Sequence, residues 1–287
     1  MPAILQAALL GVVQGLTEFL PVSSSAHLIL ARMFFGFDGD KFGLPFDVAI
    51  HVGTLLAILV YFRDDLRAML RSLPHLFRPG RASAGEHVPI GRPDVRPGAE
   101  GARLIWLLVI GTIPAVVVGL AFSDAIERHL RTPLVAATTL AVGGLGLVAA
   151  ERAGSQRRNE ESLTFAEAFW IGCAQAAALV PGVSRSGATL TLGLFFGLRR
   201  AEAARFTFLL GIAAILGAAA LKFPDMLAGG LGGDGARLFA VGTLTSAAVG
   251  YLAVKYFIRF LARHALDVFA WYRLALAAAV VLWSWRL

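Results

Sequence analysis

The sequence predicts an all-α integral membrane protein: one domain over residues 1–287, with six transmembrane helices and two re-entrant helical hairpins in an inverted-topology repeat. Composition is the first observation, because 57% of the residues are hydrophobic and only 16% are charged, whereas about a quarter are charged in a soluble domain. The mean hydropathy is +0.71. The other two observations are six long apolar stretches and two shorter apolar regions broken at their centres.

The six apolar stretches each approach the length of about 20 residues that a helix needs to cross a bilayer. Because a backbone in lipid must satisfy its own hydrogen bonds, we expect helices and not strands. The stretches cover residues 46–62, 104–122, 133–150, 206–221, 238–258 and 268–285.

The two broken regions are too short on either side of the break to cross a bilayer. Apolar residues 3–20 are followed by a Pro- and Ser-containing break at 21–25 and by a second apolar run at 26–37. Residues 165–180 are followed in the same way by a break at 181–187 and a run at 188–198. Proline, glycine and hydroxyl residues stop helices, so each region predicts a re-entrant hairpin.

The two halves of the chain also resemble each other. A shift of 161 residues places Gly11, Gln14, Val22, Ser23 and Ser25 on Gly172, Gln175, Val183, Ser184 and Ser186. A second echo brings the Gly-Thr pair at 111–112 and the Val-Gly pair at 118–119 onto 242–243 and 249–250. These matches keep their order along the chain and predict an internal repeat, with copies at about 1–150 and 164–287.

Loop charge predicts the orientation of the two copies. Alternating the six crossings puts 15 arginines on one side and six Lys and Arg on the other, and the arginine-rich side is expected to be cytoplasmic. The first hairpin then enters from outside and the second from inside, which makes the repeat inverted. Segment 71–101 is expected to be a mobile cytoplasmic loop.

The net charge of +7 is explained by this loop charge, since basic loops meet anionic headgroups; no nucleic-acid partner is expected. The one cysteine, Cys173, excludes an internal disulfide and a cysteine-ligated metal cluster. Residues 1–20 are expected to stay in the mature protein, because no basic residue precedes the apolar run and Glu18 interrupts its end. The sequence has no P-loop.

Candidate site residues gather at the two breaks, because ionisable groups inside apolar segments usually face a cavity and a partner. Glu18 and Gln14 share a helix face, His27 follows the first break, and Arg185 lies in the second. Helices over 26–37 and 188–198, capped by Ser25 and by Ser186 with Gly187, would direct their N-termini into the same space, which favours phosphate. The accompanying hydroxyls are Ser23, Ser24, Ser25, Ser184, Ser186 and Thr189.

Structural explanations stay open for several of these residues. Ser23 and Ser186 could bond only to backbone, and Glu18 with Arg185 could form a structural ion pair. Asp47 and His51 are assigned to span ends, and Tyr272 to an aromatic belt.

The two breaks also resemble a known family. Gly15-Leu-Thr-Glu-Phe-Leu-Pro-Val-Ser-Ser-Ser-Ala-His27 and Pro181-Gly-Val-Ser-Arg-Ser-Gly-Ala-Thr189 look like the two motifs of the undecaprenyl-diphosphate phosphatases, the bacitracin-resistance proteins. The similarity extends over nearly the whole chain. It implies a bacterial inner-membrane enzyme that hydrolyses undecaprenyl diphosphate to undecaprenyl phosphate and phosphate at the outer face, recycling the lipid carrier for cell-wall synthesis. It also implies a divalent cation, Mg²⁺ or Ca²⁺.

The resemblance and the residues together suggest a mechanism. Ser24 would attack the terminal phosphorus with His27 as its base, Glu18 would hold the cation, and Arg185 would bind phosphate oxygens; direct attack by water activated by His27 stays open. Gln14 stands where one common form of the first motif has Glu, and Ser25 with Ala26 replace Thr-Gly. A transporter or flippase of a polyprenyl phosphate, using the same anion site without hydrolysis, is the alternative. Expected partners are the lipid substrate and membrane lipid, with a homodimer left open.

The predicted orientation can be tested by cysteine labelling. In a Cys173→Ala background, Ser83→Cys should react with a membrane-impermeant maleimide only after cells are permeabilised, because the 71–101 loop is predicted to be cytoplasmic. Labelling in intact cells would contradict the orientation and with it the inverted repeat.

Overall fold

The computed structural model describes residues 1–39, 41–77, 98–228 and 234–284, with only the backbone for 222–228 and 234. These residues form helices and connecting segments without a β-strand. Most of the 71–101 segment lies outside them. The helices are α1 (Ala3–Thr17), α2 (Ser24–Phe35), α3 (Leu44–Tyr61), α4 (Arg63–Ser72), α5 (Ala99–His129), α6 (Pro133–Ala153), α7 (Phe165–Ala177), α8 (Arg185–Phe195), α9 (Arg200–Ala228), α10 (Asp234–Leu261) and α11 (Asp267–Ser284).

The prediction of six membrane-crossing helices is confirmed. Within the described ranges, α3, α5, α6, α9, α10 and α11 are long and apolar enough to span a bilayer. The helices of the pairs α1–α2 and α7–α8 are shorter than these six. In each pair, the predicted break lies between the two helices. The chain is therefore an all-helical, multi-pass membrane protein.

The starts of α2 and α8 differ from the sequence expectation. Their N-caps are Ser23 and Ser184, not Ser25 and Ser186, so both helices begin earlier than predicted. Ser23 has φ +72° and ψ +97°, and Ser184 has φ +67° and ψ +112°. Positive φ is rare outside glycine and costs about 1–3 kcal/mol, which a propensity argument would not place at serine. The two breaks thus share one unusual backbone conformation.

Glycines of the two sequence echoes pack against each other crosswise. Gly11 of α1 lies against Gly242 of α10, and Gly172 of α7 lies against Gly111 of α5. In both contacts a methyl group on the α1 or α7 glycine would run into the facing backbone carbonyl oxygen. Small residues allow this close approach of helices in membranes. The first helix of each short pair is therefore held by a long helix from the other half of the chain.

The remaining long helices complete the bundle around these contacts. α10 packs between α1 and α3, α6 packs against α11, and α3 packs against α9. Phe19, directly after Glu18, is fully buried and meets Phe208 of α9 edge-on, with ring centroids 5.5 Å apart. This aromatic contact anchors the first break against the long helices.

Helices α7 and α8 form a hairpin, in which the end of α8 lies beside the start of α7. Thr164 and Glu167 form a capping box at the start of α7. Arg158 donates to both oxygens of Glu167, at 2.6 and 3.0 Å, and to the carbonyl of Phe196, directly after α8, at 2.7 Å. The start of α7 and the end of α8 therefore lie side by side, with the break at the opposite end of the pair.

Candidate functional site

The two helix breaks meet inside the bundle. The Ser186 hydroxyl donates to the carbonyl oxygen of Leu20 at 2.9 Å, which joins the second break to the first. Arg185 Nη2 donates to Glu18 Oε1 at 2.9 Å, so the basic residue of one break pairs with the acidic residue of the other. The expected convergence of the two breaks is therefore present.

Glu18 is the centre of the site. Its side chain is buried, and several neighbouring groups bind its carboxylate. Gln14 Nε2 donates to Oε2 at 3.0 Å, and the Ser24 hydroxyl donates to the same oxygen at 2.7 Å. His51 Nε2 lies 3.5 Å from Oε2. Charge-assisted hydrogen bonds of this kind are the stronger ones in proteins, so the surroundings favour the ionised carboxylate.

His27 does not hydrogen-bond Ser24, and its service as the base for Ser24 stays a prediction. Its Nδ1 is 2.7 Å from the carbonyl oxygen of Ser23, and its Nε2 is 2.7 Å from the Tyr272 hydroxyl. The Ser24 hydroxyl instead donates to Glu18. The difference arises because Ser24 and His27 lie three residues apart at the start of α2, and each turns to a different neighbouring element. Glu18, and not His27, therefore accepts the hydrogen bond of the Ser24 hydroxyl.

Arg185 retains unused hydrogen-bonding capacity. Its Nη1 is buried and has no partner among the described residues. The guanidinium lies against Gly211 of α9. The contact is so close that a Cβ atom at position 211 would take the place of Nη1. Because unsatisfied buried donors are costly, this N–H group is suited to an anionic ligand.

The other predicted hydroxyls and Gly187 mostly build the breaks. Ser184 accepts from the Gly187 N–H at 3.1 Å, and Ser23 lies 3.2 Å from the Ser25 hydroxyl. Thr189 donates to the carbonyl oxygen of Arg185 at 2.8 Å. These residues shape the space at the breaks, whereas Ser24 is the hydroxyl hydrogen-bonded to the central carboxylate.

Three residues outside the predicted set also reach the site: His51, Tyr272 and Arg273. Arg273 of α11 is almost fully buried, and its guanidinium donates to backbone carbonyls of Pro21 in the first break and of Gly182 and Val183 in the second, at 2.9–3.2 Å. A charged residue in the middle of an apolar stretch was the available sequence signal for Arg273. For Tyr272 and His51, the assignments to a belt and to a span end did not indicate their contacts with His27 and Glu18.

The residues at the first break fit a divalent cation. Glu18 provides a carboxylate, and Gln14 Oε1 is a buried amide oxygen without a partner among the described residues. Mg²⁺ is commonly held by one or two carboxylates together with phosphate oxygens of a substrate. No group of three His, Cys, Asp or Glu side chains suited to a metal occurs in the described part of the chain.

Comparisons with known proteins point to one family. A family model described as bacitracin resistance protein BacA matches residues 7–279. A protein of Rubrobacter xylanophilus named undecaprenyl-diphosphatase is 51% identical over 280 residues, covering 98% of both chains. Relatives of the same name in Alcanivorax borkumensis and Moorella thermoacetica are 44% and 40% identical, covering 97% and 98% of this chain and 98% of each relative.

The contact between Arg185 and Gly211 predicts that one added methyl group lowers anion affinity without lowering thermal stability. Gly211→Ala should displace the end of the flexible Arg185 side chain with little effect on thermal stability. Affinity for inorganic pyrophosphate should fall about 10–100-fold, since a charged hydrogen bond contributes about 1.5–3 kcal/mol. Calorimetric binding and thermal unfolding in detergent check both expectations.

Gly217→Ala, on the same helix, is the matched control, because nothing lies close to the methyl group that this substitution would add. Unchanged pyrophosphate affinity in Gly211→Ala would contradict a role for Arg185 in anion binding.

Proposed function

The chain belongs to the family of the bacitracin resistance protein BacA, and from this membership we propose that it is an undecaprenyl-diphosphatase. It hydrolyses undecaprenyl diphosphate to undecaprenyl phosphate and inorganic phosphate. The observation that carries this proposal is the hydrogen-bonded group at the meeting point of the breaks, where Ser24 donates to Glu18 and Glu18 pairs with Arg185. Nucleophilic phosphoryl transfer uses a hydroxyl as nucleophile, a base beside it and a guanidinium that binds the phosphoryl oxygens.

The proposal includes the arrangement in the membrane. We infer two re-entrant hairpins, α1–α2 and α7–α8, in an inverted repeat, with the active site open to the outer face of the inner membrane. The matching backbone at Ser23 and Ser184 and the crosswise glycine contacts support two related halves. The excess of arginine in one set of loops supports the orientation. An enzyme so placed would recycle the lipid carrier for cell-wall synthesis.

In the first step, Ser24 Oγ attacks the terminal phosphorus. The Oγ–H proton passes to Glu18 Oε2, which already accepts its hydrogen bond at 2.7 Å. The new O–P bond forms as the bond to the bridging oxygen breaks, and undecaprenyl phosphate leaves with the electron pair. In the second step, water attacks the phosphoserine, its oxygen forms the new O–P bond, and one of its protons passes to solvent. The P–O bond to Ser24 breaks, and the proton on Glu18 returns to Ser24 Oγ.

Arg185 is in position to stabilise the phosphoryl group. Its Nη1 lacks a partner within the described part of the chain, and its Nη2 donates to Glu18. A phosphate that binds this guanidinium competes with Glu18 for the planar donor face. Substrate binding would therefore release the carboxylate at the moment when it is needed to accept the Ser24 proton.

Glu18 and the Gln14 amide oxygen would hold a divalent cation. Such a cation supplies positive charge to the phosphate oxygens. The Gln14 side-chain N–H also orients Glu18 by donating to its carboxylate. The same amide would therefore position the carboxylate through its nitrogen and bind the cation through its oxygen.

The function is tested by phosphate release from undecaprenyl diphosphate in detergent, with and without Mg²⁺. The unsubstituted protein should release phosphate, and Ser24→Ala should lower the rate about 1,000-fold or more, as expected for loss of a nucleophile. Ser284→Ala is the control, since its hydroxyl bonds Val281 within the same helix. Movement of intact lipid diphosphate across vesicles without phosphate release would contradict hydrolysis and indicate a transporter.

The difference between Glu18 and Gln14 gives a second prediction. Glu18→Gln should abolish Mg²⁺-dependent release, because it removes the carboxylate that accepts the Ser24 proton. Gln14→Ala should cost about 10–100-fold, as is typical when a residue supporting a metal ligand is lost. Gln14→Glu should stay active with tighter Mg²⁺ binding. The three variants are compared in parallel Mg²⁺ titrations; a Gln14→Ala protein as inactive as Glu18→Gln would show that Gln14 is itself indispensable.

A further inference from the structure

One turn of α9 lies beside both helix breaks. Phe208 meets Phe19, just ahead of the first break, with ring centroids 5.5 Å apart. Gly211 lies against the guanidinium of Arg185, which belongs to the second break. This turn therefore borders the space where the two breaks meet. It begins at Thr207, which belongs to neither sequence motif.

The packing of α8 against α9 shows which way Thr207 faces. Near the end of α8, a Cβ atom added at Gly193 would lie 3.1 Å from the Ala203 Cβ, and at the start of α8 Arg185 lies against Gly211. The two helices are therefore antiparallel, and Ala203 and Gly211 both lie on the α9 face that meets α8. Residues four positions apart share a helix face, so Thr207, midway between these two, faces α8 as well.

The Thr207 hydroxyl is buried and has no hydrogen-bond partner among the described residues. The residue is only 1% exposed, and its Oγ1 is neither donor nor acceptor to any described group. Threonines inside helices commonly donate to the carbonyl four residues earlier, and Thr112, Thr138 and Thr189 do so at 2.7–2.9 Å. Thr207 departs from that pattern, which leaves its O–H group available to a ligand.

Thr207 and Arg185 Nη1 are close enough for one anion to bind both. Nη1 stands where a Cβ atom at position 211 would be, and Cβ atoms four residues apart on a helix are separated by about 5–6 Å. Two hydrogen bonds to one phosphate group, each about 2.7–3.0 Å long, span that distance. Because unpaired buried donors are destabilising, an anion that accepts from both groups would satisfy two of them at once.

We propose that Thr207 is a further phosphate-binding residue, whose hydroxyl donates together with Arg185 Nη1 to the same phosphate group. The inference rests on the proposed function, since it assigns this group to the diphosphate of the substrate. Anionic phosphate oxygens accept hydrogen bonds, which matches a site that offers one N–H and one O–H donor. Helix α9 would then contribute to binding directly, in addition to the two breaks.

The test is Thr207→Val, which removes the hydroxyl and keeps the branched shape of the side chain. Since an unpaired buried hydroxyl does not stabilise the free protein, the midpoint of thermal unfolding in detergent should stay the same or rise. Affinity for inorganic pyrophosphate, measured by calorimetry, should fall about 10–100-fold, because a hydrogen bond to a charged group is lost. The kcat/KM for phosphate release should fall by a similar factor.

Three comparisons make the test specific. Thr207→Ser retains a hydroxyl and should keep most of the pyrophosphate affinity. Thr138→Val is the matched control and should leave the affinity unchanged, because the Thr138 hydroxyl is exposed and bonds the Leu134 carbonyl of its own helix. In a Gly211→Ala background, Thr207→Val should have a smaller effect than alone, because both substitutions act on the binding of the same phosphate group.

Unchanged pyrophosphate affinity and kcat/KM in Thr207→Val would overturn the inference while leaving the phosphatase activity in place. A fall in thermal stability that accompanies the loss of affinity would indicate a structural role for the hydroxyl, and would overturn it as well. Absence of phosphate release from the unsubstituted protein would instead overturn the proposed function, and the inference with it.

Discussion

The architecture depends on how two helix breaks are accommodated inside an apolar protein. A break leaves backbone carbonyl groups without their helical partners, and lipid offers no water to replace them. Arg273 meets this requirement, because one planar guanidinium donates to carbonyls of both breaks and of α6. Burying an unpaired charge is ordinarily very costly, and here the cost is offset by five carbonyl dipoles. These hydrogen bonds join the two breaks that carry Glu18 and Arg185.

Charge at the breaks is balanced in a way that suits a phosphate ligand. Glu18 is one carboxylate that faces Arg185 directly and has His51 nearby. Glu18 accepts from Nη2 of the guanidinium, whereas Nη1 has no partner among the described residues. A dianionic phosphate would complete the hydrogen bonding of the guanidinium in a low-dielectric setting, where such interactions are strong.

The sequence was informative where a signal is local. The broken apolar runs, the Gln14 and Glu18 spacing and the hydroxyls around Arg185 all lie within short segments, and the structure brings these segments together. The cap positions were wrong because serine at positive φ contradicts ordinary backbone preference. The contacts of Tyr272 with His27 and of His51 with Glu18 were not predicted, because they depend on which distant helix faces each residue. Arg273 was overlooked although it stands alone in an apolar span, since nothing local indicates that its partners are carbonyls from both breaks.

The crosswise glycine contacts have a consequence for how the protein is made. α7 meets α5, which the ribosome has already synthesised, so the second short pair can dock as it emerges. α1 must wait for α10, which begins at Asp234. At about 5–20 residues per second this interval is on the order of 10–40 s. During that time the first pair, with its buried Glu18 and Gln14, has no long helix from the other half to pack against. We therefore expect the membrane insertion machinery to hold the first pair, with its polar Glu18 and Gln14, until α10 has been synthesised.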